Sequence, residues 1–262
     1  MLKLAGNVGV GGGPGTGAGT VSIVVPIYNE QDNVALLIEE VERALVDFTA
    51  PWELILVDDG STDETSRVLA ELAKTKPHLR VLQHVTSCGQ SAAVRSGARA
   101  ARAPIVVTID GDGQNDPAYI PALVAALDAG GAQTGLAAGQ RVGRKDTGFK
   151  KVQSRIANAV RGFVLNDGTR DTGCGLKAVR RDVYLSLPYF DALHRFMPAL
   201  VKRDGYTVAL VDVKDRPRLT GVSNYGFFDR LWVGIGDLMG VAWLCRRRRK
   251  IAQVKEVTDH AG

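Results

Sequence analysis

Two carboxylates one residue apart, Asp110 and Asp112, stand directly behind the apolar run Ile105-Val106-Val107-Thr108-Ile109. Paired aspartates are hard oxygen ligands suited to Mg2+ or Mn2+, and a cation held there can neutralise a substrate diphosphate. Gly111 between them leaves space for the close approach of a nucleotide. An isolated Asp-x-Asp is weak evidence, because turns are rich in aspartate for local hydrogen-bonding reasons. This pair is not isolated. Leu54-Ile55-Leu56-Val57 runs into Asp58-Asp59-Gly60-Ser61-Thr62-Asp63, and Val21-Ser22-Ile23-Val24-Val25 runs into Pro26-Ile27-Tyr28-Asn29-Glu30. A turn bias does not account for acidic or polar residues at the end of every one of these runs.

The elements that must position these residues follow from periodicity. Each β-branched run reads as a strand buried in a parallel sheet, and open α/β sheets bind ligands just beyond the carboxyl ends of their strands. Helical patterns follow at Asp32–Leu45, Asp63–Leu72 and Gln90–Ala101, and a further helix is expected to start at Pro117. Asp63 is placed to cap its helix, with Arg67 one turn on. The order strand, helix, strand, helix, strand, helix, strand predicts an α/β fold with a helix-flanked, mostly parallel sheet. Beyond Gly139 the pattern loosens and arginines become frequent: Arg141, Arg144, Arg155, Arg161, Arg170, Arg180 and Arg181, with Lys145, Lys150 and Lys151 among them. Most such charges form a solvated face. Arg155 and Asn158 share one face of a predicted helix, and planar guanidinium groups suit bidentate recognition of phosphate.

At 262 residues the chain can bury one full core, and its hydrophobic content of 45% and charged content of 23% are those of a folded globular protein. Residues 1–20 read as a flexible glycine-rich leader: no strand precedes Gly6–Gly19 and no Gly-Lys-Ser/Thr ends it, so it does not read as a phosphate loop. Cys88, Cys174 and Cys245 have no paired or metal-ligand spacing, which fits a reducing cytosol. The net charge of +5 comes without a nucleic-acid recognition fold or stacking platform, so no nucleic-acid partner is expected. From Phe227 to Trp243 the apolar sequence is interrupted by Asp229, Arg230 and Asp237, which argues against a spanning helix. Helical spacing puts Phe228, Leu231, Trp232, Ile235, Leu238, Met239, Ala242 and Trp243 on one face, and Arg246-Arg247-Arg248-Arg249-Lys250 follows. An amphipathic helix with tryptophans and a basic cluster predicts an interfacial membrane anchor over residues 227–250, with a tail at 251–262. The bland alternative is a helix packed on its own protein, followed by a solvated tail.

The segments VVPIYNE (24–30), VDDGSTD (57–63), DGDGQNDP (110–117), SRIAN (154–158), DTGCGLKAVRR (171–181) and RPRLTGVSNYG (216–226) occur in one order along residues 20–226. In these the chain resembles the family 2 glycosyltransferases, and among them the polyprenyl-phosphate (dolichol-phosphate mannose synthase-like) branch. The resemblance implies a GT-A fold, Rossmann-like with a mixed, mostly parallel sheet flanked by helices, spanning residues 21–226 and followed by the amphipathic interface helix. It implies an inverting, Mg2+- or Mn2+-dependent transfer of a sugar from a GDP- or UDP-linked donor to a polyprenyl phosphate. By that resemblance, Pro26, Tyr28 and Glu30 wrap the nucleoside, while Val57 and Asp59 contact base and ribose. Asp110, Gly111, Asp112 and Gln114 hold diphosphate and metal, with Asp112 and Gln114 as direct ligands assisted by Asp110. Arg141 and Arg155 receive the acceptor phosphate, Arg141 also faces the donor, and Arg218 contacts the donor phosphates. Asn224 stands where the family usually has a lysine, which leaves the donor's identity open.

The setting this implies is peripheral attachment to the inner, cytoplasmic face of a membrane, with a separate membrane protein to move or use the product. Transfer to a hydroxyl of a glycan or glycolipid is the nearest alternative, and it would need a general base such as Asp171. From another class comes a non-catalytic nucleotide-sugar-binding scaffold at a membrane, against which the intact Asp110, Asp112 and Gln114 speak. A nucleotidyltransferase is disfavoured because no glycine-rich activation loop follows the first strand.

Overall fold

The strands and helices read from the sequence form in the expected order. The structure, a computed structural model, describes residues 20–142, 160–216 and 227–247. Its strands are β1 (Val21–Ile27), β2 (Trp52–Asp58), β3 (Leu79–Gln83), β4 (Ile105–Thr108), β5 (Thr134–Arg141), β6 (Lys177–Arg180) and β7 (Thr207–Val213). Its helices are α1 (Val34–Ala44), α2 (Thr65–Thr75), α3 (Gln90–Ala100), α4 (Ile120–Ala129), α5 (Arg181–Ser186), α6 (Leu193–Arg203) and α7 (Phe227–Arg246). The strands join in one sheet of order β3-β2-β1-β4-β6-β5-β7, in which β6 runs antiparallel to both of its neighbours and the other pairs are parallel. The α/β expectation of a mixed, mostly parallel sheet is therefore met.

Why these runs become central strands is visible in their burial. β4 is buried at every position and β1 at all but Pro26, as expected when helices cover both faces of a parallel sheet. Alternation sends Val21, Ile23, Val25 and Ile27 to one face, against Leu37, Ile38 and Val41 of α1 and Leu123 of α4. Val24, Ile55, Val57 and Val106 go to the other, against Ala93, Val94 and Ala98 of α3 and Met197 of α6. Val24 pairs with Thr108, so β1 continues beyond the end of β4 and the Asp110–Asp112 turn folds back onto it.

Some details differ from the sequence expectation. Asp63 caps α2 from one position further out, its Oδ1 accepting from the Thr65 N–H at 3.0 Å, while Arg67 pairs with Glu64 at 2.5 Å. Pro117 begins a 3-10 turn, Pro117–Tyr119, which leads into α4; Asp116 caps it by accepting from the Ala118 N–H at 3.0 Å. Residues 1–19 of the glycine-rich leader lie outside the described residues. α7 divides the apolar face expected of it. Leu238 and Ala242, with Val241, Leu244 and Cys245, pack on the core beside α6, whereas Ile235, Met239 and Trp243 are exposed. The helix thus docks on its own protein and still presents an outer apolar row; the side chains of 227–233 lie outside the described set. No helix among the described residues is long and apolar enough to cross a membrane.

Gly97 lets α3 lie flat on the sheet, because a Cβ there would meet both methyls of Val24 and the Val57 side chain. Gly97→Ala should lower unfolding stability by about 1–3 kcal/mol, the usual cost of overpacking. Urea denaturation measures it, and an unchanged midpoint would refute the close packing.

Candidate functional site

The ends of β1 and β2 are stitched together by side chains that the sequence places in turns. Asn29 adopts a left-handed backbone, φ 54°, which asparagine tolerates better than most residues. Its Oδ1 accepts from the Thr62 N–H at 2.8 Å, and its own N–H donates to Ser61 Oγ at 2.9 Å. Glu30 N–H donates to Thr65 Oγ1 at 3.0 Å, and Glu30 Oε2 accepts from Asn33 at 2.5 Å. Asp58 is fully buried and shapes the turn, accepting from the Ser61 N–H at 2.9 Å and from the Ser66 hydroxyl. Asp59 binds the loop that follows β3. It accepts from the N–H groups of Cys88 and Gly89 at 2.9 and 2.8 Å, from Ser87 Oγ at 2.7 Å, and pairs with His84 Nδ1 at 2.6 Å. Burial raises the pKa of Asp59, but the hydrogen bonds from Cys88, Ser87, His84 and Gly89 outweigh it and hold the carboxyl below its ordinary value.

At the end of β4, Gly111 also has a packing reason to be glycine. A Cβ there would come within 2.6 Å of Ile27 Cδ1 and 2.8 Å of the Pro26 carbonyl. The glycine admits the chain's own β1, and it also lines one cleft with Asp110 and Asp112. Asp110 is held from several sides: its N–H donates to Asn115 Oδ1 at 3.0 Å, and Gln90 Nε2 donates to its Oδ1 at 2.8 Å. Its carboxyl lies over Gly175, where any side chain would collide with it. Burial, then the charge of Asp112, pushes the Asp110 pKa up to about 6, against the opposing charges of Lys177 and Arg141. Asp112 Oδ1 accepts from the Gln114 N–H at 3.1 Å, and the Gln114 carbonyl accepts from the Arg216 N–H at 2.9 Å. Lys177 is buried on β6, its Nζ donating to the carbonyls of Cys174 and Thr172.

Arg141, at the end of β5, is clamped. Nε and an η nitrogen fork onto Asp171, the latter at 3.0 Å, and the other η nitrogen donates to Asp215 Oδ2 at 3.1 Å. Burial works against its charge, but the two carboxylates outweigh burial and raise its pKa. Asp171 orients an arginine, as its position allowed. Gln140 Oε1 holds the same loop by accepting from the N–H groups of Arg170 and Asp171 at 2.8 and 3.1 Å.

Pro26, Tyr28, Glu30, Asp59, Asp110, Gly111 and Asp112 line one cleft of about 250 Å3, together with Ile27 and Gln90. Those expected site residues are brought together. Val57 is not: its side chain is buried in the core beside α3. Gln114 sits in the same turn as Asp112 without lining the cleft, and Arg141 stands beside it, close enough to act on the charge of Asp110. Arg155 and Arg218, like Asn224, lie outside the described residues. Gln90, Asn115, Lys177 and Asp215 were not expected. Gln90 alone left a signal, as a polar residue behind a glycine at a helix start, whereas the other contacts arise only from tertiary placement. A divalent cation fits the donor set, because Asp110 and Asp112 are oxygen ligands whose mutual repulsion already disfavours a second negative charge.

Asp59→Asn should lower stability by roughly 2 kcal/mol at neutral pH, since four part-buried hydrogen bonds lose their charged acceptor. The native pKa is depressed, so the stability it contributes is complete above the unfolded value of about 4. It is lost as the pH falls through the native value. Denaturant curves at several pH values should show the gap between wild type and variant closing on acidification; a gap independent of pH would refute the assignment.

Comparison with known proteins agrees with this geometry. The profile of "Glycosyl transferase family 2" matches residues 22–187. Dodecaprenyl-phosphate galacturonate synthase of Rhizobium johnstonii is 36% identical over 234 residues, which is 88% of this chain and 68% of that protein. Undecaprenyl-phosphate 4-deoxy-4-formamido-L-arabinose transferase of Photorhabdus laumondii subsp. laumondii is 33% identical over 208 residues, 79% of this chain and 63% of that one. The chain thus spans about two thirds of the length of these curated relatives. The crystal structure of glucosyl-3-phosphoglycerate synthase from Mycobacterium tuberculosis with Mn2+, UDP-glucose and phosphoglyceric acid superposes with a TM-score of 0.63 at 21% identity. That match covers 88% of this chain and 81% of the other, a likeness of fold. Sheet order, strand-end carboxylates and a profile covering most of the sheet agree, and the chain belongs to glycosyl transferase family 2, with the GT-A fold.

Proposed function

We propose that the chain moves a sugar from a nucleoside-diphosphate sugar, GDP- or UDP-linked, to a polyprenyl phosphate with inversion at the anomeric carbon. The observation that carries this reading is the Asp110–Asp112 pair lining one cleft together with Tyr28, Glu30 and Asp59. Tyr28 is 49% exposed and offers a ring to the nucleoside, while Asp59, which lines the same cleft, is held rigid through its four loop contacts. Mg2+ or Mn2+ on Asp110 and Asp112, with Gln114 beside them, would neutralise the diphosphate and ease its departure. The relatives named for undecaprenyl and dodecaprenyl phosphate support the acceptor class.

The state of Asp171 favours a phosphate over a hydroxyl. A hydroxyl must lose a proton to a base, whereas a phosphate monoester with a second pKa near ~6 is already anionic at neutral pH. Asp171 is committed to its fork with Arg141, which suits a positioning residue better than a base. Arg141 keeps N–H groups beyond those given to Asp171 and Asp215, so it retains donors for a phosphate oxygen. In our reading Arg155 shares that acceptor and Arg218 the donor phosphates. The phosphate oxygen attacks the anomeric carbon, and the bond to the nucleoside diphosphate breaks on the opposite side.

Such an acceptor is met at a membrane surface, which we take to be the inner face. The exposed row Ile235, Met239 and Trp243, ending at Arg246 and Arg247, suits contact with an anionic interface. Unpaired cysteines suit a reducing compartment. A separate membrane protein is then the natural recipient of the product.

The test is nucleotide diphosphate release across a panel of GDP- and UDP-sugars, with Mn2+ or Mg2+, with and without a polyprenyl phosphate. Release should require both metal and lipid phosphate, and Asp112→Ala should lower it at least about a hundredfold, since loss of even an outer partner costs 10–100-fold at a metal site. Release that occurs only with a hydroxyl acceptor, or that survives Asp112→Ala, would contradict the proposal.

A further inference from the structure

Away from the Asp110–Asp112 turn's own contacts, Asp59 of the same cleft, His84 and Cys88 bring a carboxylate, an imidazole and a thiol together, with ligand atoms all within 4.8 Å of one another. We propose that these residues form a second cation site, selective for a borderline-soft ion of the Zn2+ class and separate from the oxygen-lined Asp110–Asp112 pair. Thiolate and imidazole favour zinc-like ions, whereas Mg2+ and Mn2+ prefer carboxylate and water.

The arrangement is already close to what a metal needs. Asp59 Oδ1 and His84 Nδ1 face each other at 2.6 Å, with a single proton between them. A metal replacing that proton would hold each at about 2.0–2.1 Å, the two atoms moving apart to open a tetrahedral angle. The other ring nitrogen of His84 is 2.9 Å from Ser96 Oγ, a hydroxyl that can accept as well as donate. The ring proton can therefore move to Nε2 and be held there by Ser96, leaving the Nδ1 lone pair for the metal, as outer partners of metal-bound histidines commonly do. Cys88 is exposed and, among the described residues, its Sγ donates to the Thr86 carbonyl at 3.3 Å. With its Sγ within 4.8 Å of the other two ligand atoms, the thiol has only a short way to move to reach the roughly 2.3 Å of a zinc–sulfur bond. The thiol proton leaves to solvent, and no redox change is involved. Asp59 Oδ2 stays anchored by Ser87 and the Gly89 N–H, so the carboxylate is fixed before any ion arrives. Three protein ligands leave a fourth tetrahedral position open.

The test is a Co2+ titration of the full chain with no nucleotide present, so it does not depend on the transfer reaction. Co2+ should bind with a thiolate-to-metal charge-transfer band, and Zn2+ but not Mg2+ should displace it. Cys88→Ser should remove the band. His84→Asn should weaken binding at least about tenfold, and Ser96→Ala by a similar factor through the outer shell. Asp112→Asn should leave the band intact. Absence of a thiolate band in the wild type would overturn the site, and so would its survival in Cys88→Ser, indifference to His84→Asn, or loss in Asp112→Asn.

Discussion

Two aspartates one residue apart at the mouth of a buried strand repel each other, and their surroundings show what it takes to keep both there. Asp110 is fixed through Asn115 and Gln90, lies over a position where only glycine fits, and feels the buried Lys177 and the clamped Arg141. Even so, its pKa is pushed up to about 6 by burial and then by Asp112. The residual cost is an electrostatic tension that a divalent cation would relieve. Much of the surrounding architecture answers to that tension. β6 runs antiparallel between β4 and β5, which brings Gly175 and Lys177 alongside Asp110.

The same logic extends outward to Arg141. A guanidinium at the end of β5 could swing freely if left alone, but Asp171 and Asp215 hold it from two sides. The strand-end cleft is therefore built from side chains whose orientation is set before any ligand arrives. Such preorganisation is what electrostatic catalysis requires. Asp59 illustrates it in the same cleft, where four contacts tie β2 to the loop leading into α3.

How far the sequence was legible depended on the range of the interaction. β1, β2 and β4 were readable because strands covered on both faces are continuously apolar, and α3 was readable from its helical pattern to within a residue. The cleft residues Pro26, Tyr28, Glu30, Asp59, Asp110 and Asp112 came from strand ends and family motifs, which place residues at one edge of a sheet. Alternation along β2 sends the Val57 side chain to the core, and nothing local shows that β1 overhangs β4 and crowds Gly111. Lys177 and Asp215 could not have been singled out, since their meaning lies in neighbours more than sixty residues away along the chain. α7 shows a further limit. Periodicity gives an apolar face, but only packing decides that Leu238 and Ala242 turn inward while Met239 and Trp243 stay outside.

The central claim is that the end of β4 is a cation site that acts on a donor diphosphate. Calorimetric binding of GDP and UDP to the full chain, with and without Mn2+, tests it without any acceptor. Mn2+ should tighten one of the two nucleotides at least about tenfold, a coupling near 1.4 kcal/mol, and Asp112→Asn should abolish the gain. Equal affinity with and without Mn2+ for both nucleotides, or an undiminished gain in Asp112→Asn, would contradict the account.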